Sequence, residues 1–123
     1  MEVKVVLCNC KGLCPSYADV DMDTLLFEIE SELGVKYTVL NAQLCGQAGN
    51  AFLREVLTSL DEQTVVVVGA CAPEAQTKLF KKLLRETGFN EARFVPVDIR
   101  NTNNAGVIER LREAVQRAVT AAT

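Results

Sequence analysis

The sequence predicts an α/β fold, a three-layer α/β/α sandwich on a four-stranded parallel sheet of the flavodoxin- or Rossmann-like kind. Three observations lead there. Strand-like apolar runs alternate with helix-period segments four times along the 123 residues, the signature of consecutive β-α units. Such units are joined by right-handed crossovers, which make the strands parallel and place helices on both faces. Pro96 lies inside the last strand-like run, and proline cannot donate to a ladder, so that strand belongs at an edge. The order 2-1-3-4 follows as the expected one.

Each element has its own signal. Val3–Cys8 is apolar apart from Lys4, as in a strand covered on both faces. Met22, Leu25, Leu26, Ile29 and Leu33 then follow helical spacing, with Asp19 or Asp21 available as a cap and Gly34 as a stop. Tyr37–Leu40 reads as a second short strand, followed by a loop through Asn41–Asn50. Phe52, Leu53, Val56, Leu57 and Leu60 form a second amphipathic stripe. Thr64–Gly69, with four consecutive valines, gives the strongest strand signal. Pro73 suits the first turn of a third helix with Ala75, Leu79, Phe80, Leu83 and Leu84 inward and Gly88 at its end. Phe94–Ile99 is the fourth strand. Asn104 is positioned to cap a last helix with Ile108, Leu111, Val115, Ala118 and Ala122 inward.

Residues 1–123 are expected to form a single domain, large enough to bury a core without disulfide staples. A net charge of −3 offers no electrostatic basis for binding nucleic acid or an anionic membrane. The longest apolar runs are strand-sized, so no membrane insertion is expected. The start runs directly into Val3–Leu7 with no charged region before a long apolar block, so a secretory signal is not expected and a cytoplasmic location is.

The chemistry lies in the cysteines. There are five and no histidine, which removes His-based acid–base catalysis, Cys-His nucleophiles and mixed Cys/His zinc sites. In a reducing compartment, neighbouring cysteines point to metal or redox chemistry rather than structural disulfides. Cys8 ends the first strand, Cys10 and Cys14 follow it, Cys45 follows the second strand and Cys71 the third. All parallel strands end at the same sheet edge, so all five should converge at the switch point where such folds bind ligands. A lone free cysteine is often only a small buried hydrophobe, a reading that suits Cys8 best and five cysteines at one edge poorly. Gly12, Gly46, Gly49 and Gly69 allow close backbone approach, with N–H groups that can donate to sulfur. Cys71 falls at a helix N-terminus, where the dipole lowers a thiol pKa. All-sulfur ligation suits an iron–sulfur cluster, [4Fe-4S] or [2Fe-2S], or a Cys₄ zinc site. The spacing matches neither paired zinc knuckles nor a ferredoxin run. There is no dinucleotide fingerprint or Walker sequence.

Cys8-Asn9-Cys10, Leu44-Cys45-Gly46-Gln47, Ala70-Cys71-Ala72-Pro73 and Asp98-Ile99-Arg100 together resemble the N-terminal domain of the A-type subunit of heterodisulfide reductase. That domain carries a C-x-C after its first strand, a C-S-x-x-G-Q segment after its second, an A-C-S-P after its third and an N-I-R after its fourth. Phe80 and Gly88-Phe89-Asn90 resemble further positions of that domain. A weaker likeness is to the iron–sulfur delta subunit of methyl-viologen-reducing hydrogenase. The resemblance implies an electron-transfer iron–sulfur subunit rather than a free-standing enzyme, working with a flavoprotein or ferredoxin-like redox partner. It favours Cys8, Cys10, Cys45 and Cys71 as ligands. Cys14 departs from the pattern and could take the place of Cys8, so four ligands are expected among the five. The flavin-binding and ferredoxin-like domains of the larger subunit have no counterpart here, so no flavin is expected on this chain alone. Two other readings stay open: a metal-free thiol/disulfide redox protein or sensor, and a cysteine-ligated zinc module. For docking, Leu13, Pro15, Tyr17, Leu44 and Pro73 are candidate apolar groups around the site.

Overall fold

The computed structural model of the protein describes residues 2–10 and 15–122. Four strands, β1 (Glu2–Cys8), β2 (Tyr37–Asn41), β3 (Thr64–Ala70) and β4 (Phe94–Asp98), alternate with four helices. These are α1 (Met22–Glu32), α2 (Gln47–Ser59), α3 (Pro73–Thr87) and α4 (Asn104–Ala122). All pairings are parallel and the order is β2-β1-β3-β4, as the sequence predicts. Pro96 sits on edge strand β4, where its missing N–H breaks no ladder on the outer side.

The strand alternation sorts the core into two layers. Val3, Val5 and Leu7 of β1, with Val65 and Val67 of β3, pack against Leu25 and Ile29 of α1 and Val107, Ile108 and Leu111 of α4. Val6 and Cys8, with Val66, Val68 and Ala70, pack on the other side against Leu53 and Leu57 of α2 and Phe80, Leu83 and Leu84 of α3. β3 is buried along its whole length, which explains its unbroken valines. The side chain of Asp21 caps α1 by accepting the Asp23 N–H at 3.1 Å, and Gly88, at φ 70°, closes α3 in the left-handed conformation.

Three local expectations are corrected. The stretch expected to be loop as far as Asn50 is helical from Gln47, because Gly46 serves as the N-cap of α2. On α3 the buried stripe is Gln76, Phe80, Leu83 and Leu84, while Leu79 is 47% exposed. The inward face is rotated so that a polar residue comes inside. Asn104 does not cap α4. The Asn103 carboxamide oxygen accepts the Gly106 N–H at 3.0 Å, and Asn104 instead ties α4 to α1. Its Oδ1 accepts the Asp21 N–H at 2.8 Å and its Nδ2 donates to Glu28 Oε1 at 2.9 Å.

Candidate redox and metal site

Parallel strands deliver their C-terminal ends to one edge, and the four described cysteines stand on the segments that leave it. Cys8 is the last residue of β1, 7% exposed on the α2/α3 side. Its Sγ accepts the Leu44 N–H at 3.4 Å, linking β1 to the loop after β2. Cys10 lies two residues on, partly buried against the α1/α4 layer with φ at 49°, a conformation uncommon for a residue with a Cβ. The pleat and the turn after it thus carry two near neighbours in sequence toward opposite core layers. Cys14 and Gly12 lie outside the described residues.

Cys45 is exposed near the apex of a tight turn that the Gly46 N–H closes on the Gln43 carbonyl at 3.2 Å. Asn41 Oδ1 accepts the Gln43 N–H at 2.9 Å, and Asn50 Nδ2 donates to the carbonyls of Leu44 at 2.8 Å and Gly46 at 3.3 Å. Gly49 lets this turn rest on α2. A Cβ there would lie 1.9 Å from the Gln43 carbonyl oxygen. Gly46 and Gly49 therefore each have a definite local part, one closing the turn and the other admitting the backbone beneath it.

Cys71 follows β3, two residues ahead of Pro73. Burial pushes its thiol pKa up; its own backbone N–H and the Arg100 charge oppose this, while charges at Cys8 and Cys45 push it further up. The dipole expectation is thus reversed in direction: desolvation outweighs stabilisation of the thiolate. Those couplings bring Cys8, Cys45, Cys71 and Arg100 into one electrostatic neighbourhood. In metal-free protein, Cys71 should alkylate more slowly with iodoacetamide than exposed Cys45 at pH 8. Because its pKa is raised, the Cys71 rate should still be climbing at a pH where an unperturbed thiol, near 8.5, has levelled off. Peptide mapping of a pH series checks this, and equal rates would show Cys71 to be unshielded.

One residue has a task that the sequence did not announce: Gln76, expected only at the rim of the site, is a buried clamp. Gln76 is fully buried, and its Nε2 donates to the carbonyls of Cys71 at 2.8 Å and Val97 at 3.1 Å. It pins the Cys71 turn to β4 and satisfies two acceptors that the strand ends leave over. Its Oε1 has no hydrogen-bond partner among the described residues. The available signal was spacing: Gln76, Phe80, Leu83 and Leu84 follow i, i+4, i+7, i+8 as well as any apolar set on this helix. Arg100 is held by Asp98, Nε to Oδ1 at 3.1 Å and Nη2 to Oδ2 at 3.0 Å, which keeps the Asp98 carboxyl below its ordinary pKa.

Among the described residues, no group of three or more Cys, Asp or Glu side chains stands arranged to hold a metal ion. The donors available at the edge are nevertheless soft thiols with no imidazole, the class suited to iron–sulfur clusters or zinc. Of the apolar groups expected to form a docking patch, Tyr17 and Leu44 are buried, at 9% and 1% exposure. They pack under the loops because the strand ends leave apolar surface there to cover. Leu13 lies outside the described residues. No described helix is long and apolar enough to cross a membrane.

Most of the chain aligns with a known protein. An alignment 95 positions long, covering 74% of the chain, gives 33% identity with the A-type subunit of the ferredoxin:CoB-CoM heterodisulfide reductase of Methanosarcina acetivorans. The chain is similar to a heterodisulfide reductase subunit. The aligned segment is 11% of that subunit, so the chain spans about a tenth of the length of the curated relative it matches. No protein-family model matches the chain.

Proposed function

We propose that this chain is an electron-transfer module related to heterodisulfide-reductase-type complexes, holding one iron–sulfur cluster at the C-terminal edge of its sheet. The observation that carries the reading is the arrival of Cys10, Cys45 and Cys71 at that edge from three separate loops, on a chain similar to a heterodisulfide reductase subunit. Cys10, Cys45 and Cys71 would be ligands, with either Cys8 or Cys14 as the fourth. A bound cluster supplies one-electron redox chemistry. The protein's part is to present thiolates, supply backbone N–H donors and place positive charge nearby, as Arg100 does. Since the Cys71 thiol is raised, metal must displace its proton, so loading should improve with pH. The cluster would exchange electrons with a flavoprotein or ferredoxin-like partner. A cytoplasmic setting, where thiols stay reduced, fits this use.

The second reading, a thiol/disulfide couple, draws on a specific observation. No metal-holding group of three is assembled among the described residues, whereas Cys71 feels two other cysteines. Two thiols would lose two electrons and two protons as one S–S bond forms. Anaerobic purification followed by iron and sulfide analysis and EPR separates the two. Stoichiometric iron and sulfide with a reducible EPR signal is the expected result. Colourless, iron-free protein that loses two thiols reversibly on oxidation would replace the cluster reading with the disulfide one.

A further inference from the structure

Beside the cysteine edge, β4 and α4 border a shallow, open cleft of ≈ 400 Å³ lined in part by Pro73, Asp98, Arg100, Arg110, Glu113 and Arg117. Its charges are not balanced. Asp98 and Arg100 cancel in their two-bonded pair. Arg110 Nη1 donates only to neutral acceptors, the carbonyls of Asp98 at 2.8 Å and Arg100 at 2.9 Å. Those bonds fix the guanidinium at the cleft, where it also interacts with the Asp98 carboxylate that Arg100 pairs. Arg117 and Glu113 make no ion pair among the described residues. The cleft thus sets three arginines against two carboxylates, a local excess of +1 on a chain whose net charge is −3. Arg110, Glu113 and Arg117 share one face of α4 through their i, i+3, i+7 spacing.

We infer that this cleft is the docking surface for an acidic redox protein, whose surface carboxylates engage Arg110 and Arg117. The inference rests on the electron-transfer reading and adds to it the place and chemistry of the encounter. Position supports it: Pro73 lines the cleft two residues from Cys71. A partner seated here lies beside the cysteine edge. Charge complementarity favours such an occupant, since guanidinium forks pair with carboxylates and steer encounter. The expected apolar patch offers no competing surface at Tyr17 or Leu44, both buried.

The test uses an acidic two-cluster ferredoxin as probe, with binding measured by calorimetry and electron transfer by stopped flow. Arg117→Glu should weaken binding about tenfold at low ionic strength, with the difference fading at high salt. Arg112→Glu changes net charge equally but does not line the cleft, and should have little effect. Reduced methyl viologen, a small cation, should donate electrons to Arg117→Glu at least as fast as to the wild type. Unchanged binding in Arg117→Glu, or equal loss in Arg112→Glu, would overturn the assignment. So would a wild type that ignores ferredoxin but binds inorganic phosphate through Arg117, which would make the cleft a small-anion site. Arg117-dependent ferredoxin binding without electron uptake from either donor would preserve the surface and defeat the electron-transfer reading.

Discussion

Serine at Cys10, Cys45 or Cys71 is expected to remove most bound iron, more than about tenfold in retained metal under dilution, while serine at Cys8 or Cys14 alone is tolerated. The asymmetry comes from what each sulfur already does. Cys8 is buried in the α2/α3 layer and its Sγ accepts the Leu44 N–H, a task that a serine oxygen can also perform. Cys45 is exposed at its turn, and burying it in a core is no alternative explanation for its presence. Cys71 feels the charges of Cys8, Cys45 and Arg100, so a thiolate there has both neighbours to share a metal with and a cation to offset its charge. Iron analysis and EPR on the five single variants check this. Equal losses in all five would contradict a four-ligand site, and full retention in the Cys71 variant would move the centre away from this edge.

The largest effect on the fold itself should come from Gly49→Ala. The new methyl carbon would stand 1.9 Å from the Gln43 carbonyl oxygen and 2.6 Å from the Leu44 Cα. Both obstacles are backbone, so no rotamer change can relieve them. Either the first turn of α2 lifts off or the Gln43–Leu44 segment moves, at the top of the overpacking range, about 3 kcal/mol or more. That corresponds to a fall in Tm on the order of 10 °C. The same shift would disturb the Leu44 N–H bond to Cys8 and the turn bearing Cys45, so iron retention should fall with stability. Gly46→Ala is the control. There the nearest atom is the end of the Gln43 side chain at 3.0 Å, which can swing away. Thermal unfolding followed by circular dichroism decides the point. A Gly49→Ala protein melting with the wild type would mean that α2 does not press on this turn.

Much of the architecture was legible because it follows from periodicity and a few special residues. The valine run of β3, the nearly unbroken apolar run of β1 and the proline in β4 specify a parallel sheet and its edge, since each reports how a strand is covered or paired. Cysteines following successive strands then reach one edge by topology alone. Side-chain direction and balance of local charge were decided only in three dimensions. Cys8 and Cys10 are two residues apart, yet the pleat and the turn beyond β1 send them toward different core layers. Gln76 became a buried clamp because strand ends leave carbonyls to satisfy, whereas its helix stripe alone could as well have turned Leu79 inward. Asn103 took the cap that Asn104 was positioned for, because Asn104 was drawn across to α1. The rise in the Cys71 thiol pKa depends on burial set by neighbours distant in sequence, and desolvation has no one-dimensional signature. In the sequence, Arg110 and Arg117 stand seven residues apart, which puts them on one face of a helix. Only the packing of α4 beside β4, with Asp98 paired by Arg100, gathers them into a cleft with a net positive charge beside the cysteine edge.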